Sequence, residues 1–152
     1  RIISVGWSAV ENWKNGKMQL FHSPDSKNKN NSSVCLYLSS QSGGLLLTGD
    51  LEASGVARLL TAGVPGPVSL LKLPHHGSRH SSSESLISRV QPKLCLASAG
   101  FKNRYGFPAR QLTTHLQQLE IPLYRTDIMG TLRARNDGKR WLVDHWQDGL
   151  FR

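Results

Sequence analysis

The sequence predicts an α/β (α+β) fold, a mixed sheet with helices packed on it, and three observations carry that expectation. Short apolar runs alternate with stretches of helical periodicity. Several of the runs stop at a polar turn, as in Thr48-Gly49-Asp50 and Pro74-His75-His76-Gly77. Near the end, Asn136-Asp137-Gly138-Lys139 separates two strand-like segments, a strong hairpin signal.

Residues 1–16 carry Trp7, Trp13, Gly6 and Gly16 with weak periodicity, so strand ends and a turn at Asn15-Gly16 are expected. Lys17 to Ser23 alternates as a strand does, and Pro24 to Asn31 is a polar loop. Val34–Ser39 and Leu45–Thr48 read as strands joined by a turn at Gln41–Gly44. Leu51–Ala62 has helical spacing interrupted by Gly55. A loop with two prolines leads to a strand at Val68–Leu73, a helix at Ser82–Val90 and a strand at Lys93–Ser98. After the polar loop 99–107, Pro108 suits the first turn of a helix, and Leu112, Leu116 and Leu119 give that helix its apolar face. Leu123–Arg125 is a strand, and Met129–Arg135 with Arg140–His145 makes the hairpin.

The 152 residues suffice for one domain with a core, and no internal boundary or repeat is visible. The chain begins at Arg1 rather than methionine, so it is expected to be a fragment or a processed piece. The net charge of +9 lies mostly after Gly77. That excess suits a polyanion such as nucleic acid, or merely a solubilising surface, since no compact Lys/Arg run exists. Cys35 and Cys95 sit inside apolar runs without a CxxC, and read as small buried hydrophobes. No apolar run approaches the ~18 residues of a membrane span.

Residues 70–84, Leu-Leu-Lys-Leu-Pro-His-His-Gly-Ser-Arg-His-Ser-Ser-Ser-Glu, organise the rest. Proline ends the strand because it has no N–H for a ladder, and Gly77 allows the bend after it. Ser81 with Glu84 has the spacing of a capping box, which predicts a helix start there. Chemistry in α/β proteins sits just beyond the carboxyl ends of strands. Two imidazoles there can bind a metal, and the N–H groups of a helix start can hold an anion.

Thr48-Gly49-Asp50, Pro74-His75-His76-Gly77-Ser78, Asn103-Arg104-Tyr105-Gly106-Phe107-Pro108 and Arg125-Thr126-Asp127 with Gly130 all fall at strand ends. With Asn30-Asn31-Ser32-Ser33 before a strand, the series from about Asn30 to Gly130 resembles the metallo-β-lactamase-like domain of the ComEC family of DNA-internalisation competence proteins. The resemblance implies an αββα sandwich of two sheets with helices outside and a di-metal hydrolase site at one edge. The superfamily's HxHxDH motif is missing, so residues 1–152 match only the second, C-terminal half of such a domain. Phe107 stands where the family often has histidine before the proline.

By the same resemblance, Asp50 bridges metals, His76 is a ligand, and His75 is a further ligand or the wall behind it. Asp50 also fits as the N-cap of the helix next in the chain. Ser78, Ser81 and Ser82 offer hydroxyls to a phosphate, or simply cap a helix. His80 is read as a loop residue or a phosphate contact, and His22, His115 and His145 as surface or core residues. Asn103, Tyr105, Arg125 and Asp127 line the same edge. Tyr105 either stacks a base or packs beside Gly106, and Arg125 either meets a phosphate or pairs with Asp127.

The implied task is metal-dependent hydrolysis of phosphodiesters in incoming DNA, with zinc or manganese as cofactor. With two of the ligands a bimetallic centre needs, this chain is expected to bind metal feebly and to be inactive alone. The implied partners are DNA and the remainder of a membrane-embedded chain, in a bacterial inner membrane. Two alternatives stand beside this reading: a non-catalytic DNA-contacting module, and a hydrolase of the same fold with another substrate. Half a sandwich leaves a sheet face uncovered, so poor solubility in isolation is expected.

Overall fold

The computed structural model describes residues 7–13 and 16–145. Strands β1 (Trp7–Trp13), β2 (Gly16–His22), β3 (Cys35–Ser40) and β4 (Gly43–Leu47) form an antiparallel meander. The chain then turns parallel. Helix α1 (Ala53–Thr61) leads to β5 (Leu70–Lys72), α2 (Ser83–Val90) to β6 (Leu94–Ala97), and α3 (Arg110–Gln118) to β7 (Leu123–Arg125). The seven strands lie in one sheet in sequence order, parallel from β4 to β7. A single-turn helix α4 (Thr126–Met129) precedes the hairpin of β8 (Leu132–Asn136) and β9 (Trp141–His145).

The expected strands and helices are therefore found, with short 3-10 turns added at 29–32, 74–77 and 79–81. The single-turn α4 was not expected, and it occupies Met129, so the strand expected from Met129 begins only at Leu132. The turn proposed at Asn15-Gly16 falls partly outside the described residues. The layering also agrees with half of a sandwich: among the described residues, one mixed sheet carries its helices gathered on a single face, and the hairpin forms a separate two-stranded sheet.

Leu51, Val56 and Leu59, then Leu86, Ile87 and Val90, then Leu112 and Leu116 share one core with Phe21, Cys35, Tyr37, Leu46, Leu71, Leu73, Cys95 and Ala97. Strand alternation sends the intervening residues to the opposite face. There Leu20, Leu36, Leu38, Leu45, Leu47, Leu94 and Leu96 stay half-buried around a sealed Leu70. Both cysteines are buried and free, and burial pushes each thiol up to about 12.

The capping box is not formed. Ser82, in the left-handed region at φ 48°, stands at the start of α2 without a side-chain cap, while the Ser81 hydroxyl turns inward to Ser78 O and Ser83 Oγ. Likewise α1 starts after Glu52, so Asp50 is not its N-cap. The amide of buried Asn31, reaching across from the loop before β3, takes that place: its Oδ1 accepts from the N–H groups of Glu52 and Gly55, and its Nδ2 donates to Ser54 Oγ.

Candidate functional site

The parallel strands β4 and β5 end side by side, so the turns that leave them meet at one edge of the sheet. After β4 the chain bends at Gly49, whose φ of +57° puts it in the left-handed region, and a Cβ there would strike Ser33. Ser33 Oγ accepts the Asp50 N–H at 3.0 Å and donates to Asn30 O. The Asn-Asn-Ser-Ser segment thus sets both the start of α1 and the bend that presents Asp50.

After β5, His75 and His76 both hold positive φ, 45° and 58°. Two consecutive non-glycine residues in that region store strain, of order 1 kcal/mol or more each, which the surroundings must over-determine. They do so through His75 N–H to Gly49 O at 3.2 Å and Ser78 N–H to His75 O at 2.8 Å. Gly77 then packs so closely on Pro108 that a Cβ would lie 2.6 Å from the ring, and its carbonyl accepts the Ala109 N–H.

The strained turn brings Asp50 and His76 together. His76 Nε2 lies 3.5 Å from Asp50 Oδ1. On its other side, Nδ1 is 2.6 Å from the Ser98 carbonyl. A carbonyl only accepts, so Nδ1 carries the hydrogen, and in the neutral ring Nε2 is left with a free lone pair. Two donors each ~2.0–2.1 Å from one ion at a tetrahedral angle sit about 3.4 Å apart. The observed spacing fits a shared cation, and the carbonyl that fixes the tautomer is the usual support for a ligating imidazole.

His75 points elsewhere. Its Nδ1 is buried without a hydrogen bond, 3.7 Å from Glu52 Oε1. Glu52 is in turn held by Asn30 and Asn28, whose amides donate at 2.9 and 2.8 Å. The Asn30 hydrogen bond, with help from Asn28 and the facing His75, keeps this carboxyl below its ordinary range.

Lys72 completes the edge. Its Nζ donates to Gly49 O at 3.0 Å and lies 3.9 Å from Asp50 Oδ1. Burial lowers its pKa, against the pull of Asp50. Lys72 and Glu52 escape sequence reasoning, although a lone charge inside Leu-Leu-Lys-Leu-Pro was a signal for the first. Among the described residues, no cluster of three or more His, Cys, Asp or Glu is arranged to hold a metal.

The remaining expected contacts divide sharply. Ser81 is fully buried and Ser78 nearly so, its hydroxyl accepting the His80 N–H, so neither faces a phosphate. Ser82 is only partly exposed. Arg125 and Asp127 form a two-pronged pair at 3.0 and 2.6 Å, the pairing that the sequence offered beside a phosphate contact. The Asn103 amide is used inside its own loop, donating to Gly100 O and Phe107 O and accepting the Phe107 N–H. Tyr105 is not packed away beside Gly106: it is 64% exposed and stacked on Phe107, which in turn lies against His76.

No family model matches the chain. It is 38% identical over 112 residues to ComE operon protein 3 of Bacillus subtilis, covering 74% of this chain and 14% of that protein. It is 37% identical over 90 residues to Competence protein ComA of Neisseria gonorrhoeae, covering 59% of this chain and 13% of the relative. With Recombination protein 2 of Haemophilus influenzae it shares 29% over 113 residues, 74% of this chain and 14% of the relative. The chain thus spans about one seventh of the length of these relatives. Their names indicate a competence family, and this chain is similar to one segment of its members.

Proposed function

We propose that this chain is one side of a metal-dependent phosphodiester hydrolase site in a DNA-uptake protein of the bacterial inner membrane, acting on incoming DNA. One observation supports it above the others. A strained His-His turn holds His76 Nε2, with its tautomer fixed by Ser98 O, within 3.5 Å of Asp50 Oδ1. Strain of this kind persists where function requires a geometry the backbone does not favour. In this reading Asp50 and His76 hold a divalent ion, zinc or manganese, and His75 forms the wall behind them. The ion would supply a hydroxide near neutral pH and a positive charge beside the phosphate.

The chain's own part is positional. Ser98 orients the imidazole, Gly49 and Ser33 present the carboxylate, and Lys72 places a cation behind it. Further ligands come from residues outside those described, as in the second half of a metallo-β-lactamase-like domain joined to its first half. No helix among the described residues is long and apolar enough to cross a membrane, so in this reading the membrane anchoring lies elsewhere in the relatives' greater length.

A second reading, a DNA-contacting module without catalysis, draws on the absence of a three-ligand group among the described residues and on the net charge of +9. A cleavage assay separates the two. Linear DNA is incubated with Mn²⁺ or Zn²⁺ and the longer protein that carries this segment. Cleavage lost on Asp50→Ala and on His76→Ala supports the hydrolase. DNA binding that persists in chelator with no cleavage under either metal supports the module.

A further inference from the structure

The loop between β6 and α3 exposes rings that folded proteins ordinarily cover. Phe101 is 76% and Tyr105 64% exposed. The rings are also ordered: Tyr105 lies parallel to Phe107 at 5.5 Å and 18°, and Phe107 to His76 at 6.0 Å and 23°. Three near-parallel rings thus step from solvent to the imidazole beside Asp50. Asn103 holds the loop in this shape with three internal hydrogen bonds, so the stack is built before any ligand arrives.

Beside the stack runs a groove of about 600 Å³ lined by Arg79, His80, Tyr105, Phe107 and Arg110, with no carboxylate in its walls. Cations also flank the aromatic surface. The Arg104 guanidinium lies 5.0 Å from the Tyr105 ring centre and donates to its hydroxyl, and Lys102 lies 5.2 Å from the Phe101 ring centre.

We infer that this ring stack and basic groove form a track for single-stranded nucleic acid, with an unpaired base stacking on Tyr105 and the backbone lying along Arg79 and Arg110. Exposed ring faces with a carboxylate-free basic groove suit single strands, because every unpaired base offers a π-face and every linkage a charge. A duplex keeps its base faces stacked inside and offers Tyr105 nothing comparable. The line of the rings leads toward His76, so a strand on this track passes the Asp50 edge. The inference rests on reading that edge as a phosphodiester site, yet binding and cleavage are separable.

The test is fluorescence anisotropy with a labelled oligothymidylate of about 20 nucleotides and a duplex of equal length, using this chain in chelator at several salt concentrations. The single strand is expected to bind about ten-fold tighter than the duplex. Tyr105→Ala should weaken it about ten-fold, Tyr105→Trp should restore it, and thermal melting of both variants should match the parent because the residue is exposed. The double change Arg79→Ala with Arg110→Ala should flatten the salt dependence by about two phosphate contacts. Equal affinity for both oligonucleotides, indifference to Tyr105→Ala, or a Tyr105-dependent preference for anionic lipid vesicles would each overturn the track. Single-strand binding through Tyr105 without cleavage under any metal supports the track while counting against the hydrolase.

Discussion

At the end of β7, Arg125 and Asp127 close on each other at 3.0 and 2.6 Å, and the Thr126 hydroxyl both accepts from and donates to the backbone of Ala99. At the ends of β4 and β5, on the same edge of the same sheet, Asp50 stands 3.5 Å from His76 Nε2 and 3.9 Å from Lys72 Nζ, its side chain 43% exposed. One region saturates its polar groups with each other. The other pins its backbone by hydrogen bonds and leaves side-chain valence facing outward. The first pattern holds a structure together, and the second is the one the proposed function reads as a place for an ion.

Substitutions should tell the two regions apart. The largest effect is expected where the preparation is anchored. Asn31→Ala leaves the Glu52 and Gly55 N–H groups without their acceptor, and should lower the unfolding free energy by about 2–4 kcal/mol in urea titration. Next, Asp127→Ala strands a largely covered Arg125 and should cost about 1–2 kcal/mol. Asp50→Ala should change stability by less than about 0.5 kcal/mol, since its contacts are long and partly wet. Equal costs for Asp127→Ala and Asp50→Ala would erase the distinction.

Relieving strain acts in the opposite direction. His75→Gly removes a side chain from φ 45° and a buried nitrogen without a hydrogen bond, so thermal melting should show no loss and a gain of up to about 1 kcal/mol. A clear loss would mean that the turn is not strained.

Above about pH 5 the stability should change least. Hydrogen bonds and charges hold Asp25, Glu52 and Asp144 below their ordinary values: for Asp25 the Lys27 and Asn28 N–H groups, for Glu52 Asn30, and for Asp144 Arg133 and then Arg135. A carboxyl whose folded pKa is depressed contributes stability above its unfolded value, near 4. That contribution is lost as pH falls through the folded value. Unfolding measured between pH 5 and 2 should show this loss, and flat stability across that range would contradict it.

Much of this was legible in the sequence. Apolar period, turn residues and the hairpin signal placed most strands and helices within a residue or two, because burial on a sheet enforces alternation, while the short α4 was missed and β8 begins three residues later than expected. Asp50 and His76 were paired beforehand only by the family resemblance, and the parallel pairing of β4 with β5 puts them at one edge. How polar groups are used was not legible. Ser81 and Glu84 have capping-box spacing, yet the Ser81 hydroxyl finds Ser78 O and Ser83 Oγ inside the core, and a non-local asparagine caps α1 instead. At Arg125 spacing alone leaves a phosphate and Asp127 equally open, and only the geometry shows the pair with Asp127.

The claim that Asp50 and His76 share a divalent ion is tested most directly by imidazole nitrogen NMR during a Zn²⁺ titration of this chain. The account predicts that the His76 Nε2 resonance moves first among the six histidines while Nδ1 keeps its hydrogen toward Ser98, and that Asp50→Ala abolishes the movement. A titration in which His76 stays unmoved while other histidines respond, or in which Asp50→Ala changes nothing, would contradict it.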